Sequence, residues 1–264
     1  DGYVVGSDQT WNPFVANSPE AFFLPFVENK SKKGSYGPSL AVKSLSDEKE
    51  KEYRKKLSNF SFLSCREQDG AQLLSRITQK EVKCVLDPTL LLSAKEWGKY
   101  CEFEIPKEPY ILVYFLGEKS EHRRAVEKIQ KLTNWKIISL PAAYLEMENN
   151  DYKKVWGGPK EFLSLIRGAA LICTDSFHGT MFSINFQRNF FSFCKSSDSE
   201  ESSENSRLYS ALNIFGLSNR IIHNMDLTAE DISIDYKNVI PILEEQRRDS
   251  IEYLENMLFE MTKG

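Results

Sequence analysis

A small apolar run, Ala169-Ala170-Leu171-Ile172-Cys173, passes through Thr174-Asp175-Ser176 into an apolar, helix-length stretch from Phe177 to Phe186, and this juncture constrains the chain more than any other feature. Five apolar residues with no polar alternation mark a strand covered on both faces, as in parallel sheets. Thr, Asp and Ser are residue types that cap helix N-termini. A parallel strand that feeds straight into a helix puts the turn at the carboxyl edge of its sheet, where open α/β folds bind ligands. Backbone N–H groups at the helix start favour an anion there, phosphate above all. His178 falls in the first helical turn beside that position, and histidine suits proton transfer near neutrality.

Around this juncture the chain alternates strand and helix, which predicts parallel α/β architecture. Strands are expected near 2–5, 34–39, 60–65 and 82–86, with helices over 47–58 and 68–77. Ser93-Ala94-Lys95-Glu96 has the spacing of a capping box and opens a short helix. After a linker at Glu104–Pro109 come strand 110–116, helix 120–133, strand 136–140 and a longer loop from Tyr144 to Trp156. Helix 160–168, strand 170–174, helix 177–187 and strand 190–194 follow. The acidic, Ser-rich stretch Ser196–Ser206 reads as a mobile loop. Helix 207–215, a short strand at 220–222 and a long helix over about 237–262 complete the reading. The expected architecture is two Rossmann-like lobes in a GT-B-like arrangement. The first lobe takes 1–93 with a returning helix at 246–264, and the second takes 94–245.

Composition narrows the function. Lys and Arg number 34 against 38 Asp and Glu, a net charge of −4, which argues against a general nucleic-acid binder. No apolar run approaches the ~18 residues of a membrane span. The five cysteines, at 65, 84, 101, 173 and 194, form no CxxC pair, which suits a reducing cytoplasm better than a disulfide framework. Three histidines without clustered ligands give no zinc pattern, so neither a metal nor another cofactor is expected. Arg66 follows the apolar stretch Phe60–Cys65 and so stands at a sheet edge, where a guanidinium can grip carboxylate or phosphate, or else pair with Glu67 or Asp69. Asp87-Pro88-Thr89 reads as a structural turn.

The Ser-Phe-His-Gly sequence at 176–179 resembles the motif of the polysaccharide pyruvyl transferase family. Further segments fit that family in order: Val4–Pro13, Gly34–Ser39, Leu63–Glu67, Val85–Leu91 and Gly158–Phe162. Gly37-Pro38 departs from the small residues usual in the second of these. The resemblance implies a further N-terminal region with a Gly-containing loop ahead of Asp1. It also implies transfer of pyruvate from phosphoenolpyruvate to two hydroxyls of a sugar or lipid-linked glycan, in the cytoplasm and compatible with peripheral membrane association.

Such a reaction needs cations and N–H donors for two anions, a proton donor, and a base for the attacking hydroxyl. His178 is the expected acid or base. Ser176 and the amides of Gly179 and Thr180 are expected to hold an anion; the competing reading of Gly179 is tight helix-to-strand packing. Arg207, in Asn205-Ser206-Arg207, resembles a family Asn-x-Arg position and is expected, with Arg66, to bind the donor. In family terms the loop Ser7-Asp8-Gln9 lines the acceptor side. Asp8 there is a base or hydroxyl ligand, and Trp11 offers a face for sugar stacking or else caps the core. Two other functions keep the fold: a glycosyltransferase using a nucleotide-sugar, and a non-catalytic glycan-binding module.

Overall fold

The computed structural model describes residues 1–15, 20–117, 120–141, 152–195, 205–223 and 226–263. In chain order its elements are β1 (Tyr3–Val5), β2 (Lys33–Ser35), α1 (Asp47–Leu57), β3 (Ser64–Cys65), α2 (Gln68–Thr78), β4 (Lys83–Cys84) and α3 (Ala94–Trp97). Then come β5 (Tyr110–Tyr114), α4 (Ser120–Thr133), β6 (Lys136–Ser139), β7 (Lys153–Lys154), α5 (Pro159–Gly168), β8 (Leu171–Thr174) and α6 (Phe177–Asn185). The chain closes with β9 (Asn189–Phe193), α7 (Asn205–Ile214), β10 (Ile221–Ile222) and α8 (Val239–Lys263). Two compact units result. The first comprises Asp1–Leu91, Ser196–Phe215 and Ile240–Gly264; the second comprises Leu92–Lys195 and Gly216–Val239.

In the first unit β1 pairs with β2 and β3 with β4, all parallel, and a parallel bridge between Gly34 and Phe62 joins the two pairs. The helices follow from local chemistry. In α1, Asp47, Glu48 and Glu50 lie in the first turn and Arg54, Lys55 and Lys56 in the last, matching the helix dipole. Its buried side chains are Tyr53 and Leu57, four residues apart on one face. Helix α2 buries Gly70, Ala71, Leu73, Leu74 and Ile77 and ends at Gln79, which adopts a left-handed conformation with φ 55°. These faces enclose a core around Trp11, Phe23, Leu40 and Phe60.

Helix α8 closes the other side of this unit. Ser250 Oγ accepts the Leu86 N–H at 2.9 Å, Tyr253 donates to Ser35 O at 3.0 Å, and Arg247 Nε donates to Leu90 O at 2.6 Å. Met257 and Met261 fill the space where a Cβ would stand on Gly34. Helix α7 also belongs here, whereas the sequence reading put this stretch in the second lobe. Contacts distant in sequence place it: Ser210 Oγ accepts the Gln68 N–H at 3.1 Å.

The second unit is one six-stranded parallel sheet ordered β10-β9-β8-β5-β6-β7. Numbered by position in the chain within this unit, that is the 3-2-1-4-5-6 order of doubly wound folds, with strand order reversing between β5 and β8. Edge strand β7 falls within the stretch expected as loop, since it is only Lys153-Lys154. The expected loop segments at 142–151 and 196–204 lie outside the described residues.

Candidate active site

In the second unit the turn after β8 sits at the switch point. Central strand β8 is buried throughout. Thr174 Oγ1 donates to Tyr114 O at 2.6 Å and accepts the Ser176 N–H at 3.0 Å, fixing the turn to β5. Ser176 is the N-cap of α6, its Oγ accepting the Gly179 N–H at 3.2 Å. Asp175, which the sequence showed only as a capping type, is buried and spans the switch point. Its two carboxylate oxygens accept the N–H groups of Leu116 and Gly117, at 2.6 and 2.9 Å, just past β5. His178 is the second residue of α6, half-buried, with Phe177 edge-on at 5.6 Å. Its side chain thus stands at a helix N-terminus, on the sheet edge where this fold class binds ligands.

Two expected anion ligands here are corrected. The Gly179 amide is used by Ser176, and the Thr180 amide donates to Ser176 O at 3.0 Å. The Thr180 hydroxyl is fully buried, 2.8 Å from Ser192 Oγ, so Thr180 secures α6 to β9. A Cβ on Gly179 would lie 2.7 Å from Thr174 Oγ1 and 3.2 Å from its Cγ2, so the glycine serves close helix-to-strand packing. Gly179→Ala is therefore expected to cost about 1–3 kcal/mol through overpacking. Urea denaturation checks this, and an unchanged midpoint would return Gly179 to a ligand-facing role.

In the first unit the strand ends gather charge. Arg66 follows β3, with its side chain 1% exposed. Its Nη1 donates to Asp87 Oδ2 at 2.6 Å, its Nη2 to Asp8 Oδ1 at 3.2 Å, and its Nε to Glu67 Oε1 at 3.4 Å. Ser7 Oγ also donates to Asp87 Oδ2, at 3.0 Å, while Asp87 Oδ1 accepts from the amide and hydroxyl of Thr89. Burial alone would lower the Arg66 pKa, but Asp87 and then Glu67 more than offset it, and the guanidinium holds its proton more tightly than usual. Arg207 on α7 brings Nη1 to 3.8 Å from the same Asp8 Oδ1, with its own side chain 7% exposed. Asp8 itself is 63% exposed and has a left-handed backbone at φ 64°. So Ser7, Asp8, Arg66 and Arg207 come together in the first unit, whereas Ser176, His178, Gly179 and Thr180 belong to the second. Asp87, read from sequence as a turn residue, is also the firmest partner of Arg66. Arg66 and Asp87 each follow a strand, and only the pairing of β3 with β4 brings the two strand ends side by side.

Trp11 is a second correction. It is wholly buried, stacked on Phe23 at 6.0 Å and edge-on to Phe60 at 5.7 Å, with Nε1 donating to Phe22 O at 3.1 Å. No face is left for a sugar. Gln9 accepts from Asn12 Nδ2 at 2.5 Å, bracing the loop beneath Asp8. Among the described residues no cluster of three or more His, Cys, Asp or Glu side chains could hold a metal ion.

Two α/β units on parallel strands, with a strand-to-helix turn at the second unit's switch point and a long C-terminal helix, define a GT-B-like protein. Solved structures with this fold include UDP-GlcNAc 2-epimerase from Methanocaldococcus jannaschii, at 14% identity and a TM-score of 0.50, covering 92% of this chain and 76% of that one. UDP-GlcNAc 2-epimerase from Neisseria meningitidis, bound to UDP-GlcNAc, gives 10% identity and a TM-score of 0.50 over 96% and 76% of the two chains. Arabidopsis thaliana UGT89C1, complexed with UDP-L-rhamnose, gives 11% and 0.50 over 87% and 64%. At these identities the likeness is one of fold. No curated protein matches the sequence. The polysaccharide pyruvyl transferase family model matches residues 1–193, and the chain belongs to that family.

Proposed function

We propose that this protein transfers pyruvate from phosphoenolpyruvate to two hydroxyls of a sugar, forming a cyclic ketal on a surface polysaccharide or its lipid-linked precursor. The observation that carries the reading is His178 at the start of α6, within the family's Ser-Phe-His-Gly motif and beside the switch point of a 3-2-1-4-5-6 sheet. The chemistry would run as follows. C3 of the enol gains a proton, C2 becomes oxocarbenium-like, and one sugar hydroxyl adds. Phosphate then leaves, and the second hydroxyl closes the ring. His178 supplies or accepts the proton, and the α6 N-terminus favours the phosphate. Arg66 and Arg207 are the cations for the donor, and Asp8 is the base for an attacking hydroxyl. Phosphoenolpyruvate is a cytoplasmic metabolite, so the reaction belongs on that side of the membrane. Among the described residues no helix is long and apolar enough to cross a membrane, and a lipid-linked acceptor would be met at its surface.

The test is to incubate the full-length protein with phosphoenolpyruvate and a panel of glycans, following phosphate release and the ketal methyl signal by proton NMR. A parallel thermal-shift series compares phosphoenolpyruvate with nucleotide-sugars. Stabilisation by nucleotide-sugars alone would overturn the reading in favour of glycosyl transfer. Within the reading, Arg207→Ala is expected to raise the KM for phosphoenolpyruvate by about tenfold, the ordinary scale for one charged hydrogen-bonding partner, and to spare that for the acceptor. Initial-rate measurements over both substrates separate the two effects.

A further inference from the structure

The arrangement around Asp8 differs from that of an ordinary surface ion pair. Two guanidinium groups, from the end of β3 and from α7, reach one carboxylate oxygen, Asp8 Oδ1, at 3.2 and 3.8 Å. Both arginines are almost wholly buried, and the carboxylate between them is mostly exposed. Two other partners of Arg66 lie inside the protein. Asp87, at 2.6 Å and only 2% exposed, and Glu67, at 3.4 Å, hold it from within the protein, and Glu67 is further bound by the Cys65 thiol at 3.1 Å. Exposure therefore separates partners that are permanent from one that can exchange with solvent and its solutes. Asp8 is rehydrated as it leaves, and the arriving carboxylate takes over both guanidinium groups, so neither buried cation is left unpaired.

Charge selects what can replace it. Arg66 and Arg207 carry two positive charges, and Asp87 and Glu67 two negative ones. Among these side chains the charges cancel without Asp8, and Asp8 adds one negative charge. A second carboxylate substitutes like for like, whereas a phosphate dianion would add a charge beside two fixed buried acids. A guanidinium pair also matches the flat, two-oxygen geometry of a carboxylate.

We infer that Asp8 occupies the seat of the donor's carboxylate in the free protein and is displaced when the donor binds. This rests on the proposed pyruvyl transfer and adds to it an order of events. Arg66 and Arg207 receive the carboxylate of phosphoenolpyruvate, and the freed Asp8 becomes the acceptor's base only once the donor is seated. Asp8 then has two roles of opposite sign, competing with the donor for the arginines and serving the chemistry.

Pyruvate, which carries the carboxylate without the phosphate, is the probe, and its Kd is measured by NMR titration of the full-length protein. Asp8→Asn keeps the left-handed backbone, since asparagine adopts it readily, and removes the competing charge. Pyruvate is expected to bind this variant about two- to fivefold more tightly, the release of one exposed ion pair. Asp69→Asn, an equal charge change at an exposed position three residues from Arg66, is expected to leave the Kd unchanged. In an Arg207→Gln background the gain from Asp8→Asn is expected to shrink, and inorganic phosphate is expected to gain less than pyruvate. Unchanged or weaker pyruvate binding by Asp8→Asn overturns the inference. So does an equal gain from Asp69→Asn, an undiminished gain without Arg207, or a larger gain for phosphate. Phosphate release from phosphoenolpyruvate and acceptor is assayed alongside on the unmodified protein. Its absence would sink pyruvyl transfer itself, and the pyruvate titrations would still decide whether Asp8 guards a carboxylate seat.

Discussion

On the proposed pyruvyl transfer, His178→Ala is expected to lower phosphate release from phosphoenolpyruvate and acceptor by about 10²–10⁴-fold, the usual contribution of one positioned acid–base group. The variant is expected to unfold at the same denaturant concentration as the parent. The imidazole is only half-buried, and Ser176 on Gly179 and Asp175 on the two amides after β5 hold the turn. Alanine is also the best helix former for the position it would take in α6. Steady-state assay and a urea titration on the same preparation separate the possibilities. Activity within a few-fold of the parent would make His178 a structural residue, and lost activity with lost stability would leave its chemical role without support.

Trp11→Ala is expected to act through stability, at about 3–5 kcal/mol, the range for truncating a large buried aromatic. The indole is wholly buried between Phe23 and Phe60, and its removal also strands the Phe22 carbonyl that accepts its N–H. A loss of this size approaches the whole stability of many domains, so the first unit should melt well below the parent's temperature. A well-folded Trp11→Ala protein with only a raised acceptor KM would show the indole reachable by sugar, and the assignment to the core would be wrong.

The contrast between these residues shows what the sequence could tell. Strand β8 and helix α6 were legible because a continuous apolar run and a capping triplet are local signals, and the structure places both within two residues of the expected bounds. Helix α4 was legible for the same reason, since Ala125, Val126 and Ile129 repeat at helical spacing. Strand β7 was not, because two lysines carry no strand signal and pair there through their backbone. Trp11 was ambiguous because its neighbours in sequence are polar, and what buries it comes from Phe23, Tyr53 and Phe60, 12 to 49 residues away. The same holds for Asp87, whose link to Arg66 exists only once β3 and β4 are paired. Gly179 and Thr180 misled for another reason. Their types suit an anion site, but which way an amide points depends on where the helix starts, and Ser176 fixes that one residue before Phe177.

Helix α8 has a consequence for how the protein is made. The backbone groups it satisfies, at Ser35, Leu86 and Leu90, belong to strand ends and turns translated more than 150 residues earlier, and Gly34 is flat against its methionines. A ribosome-bound chain that has emerged only as far as the second unit therefore holds an open-faced first unit, with apolar surface exposed and main-chain groups unpaired. Domains generally fold as units during synthesis, the N-terminal one first. Here that order is inverted for the last step, and the second unit is free to complete before the first. Synthesis halted anywhere before about residue 240 would release a polypeptide whose earliest-made half is the one prone to aggregate.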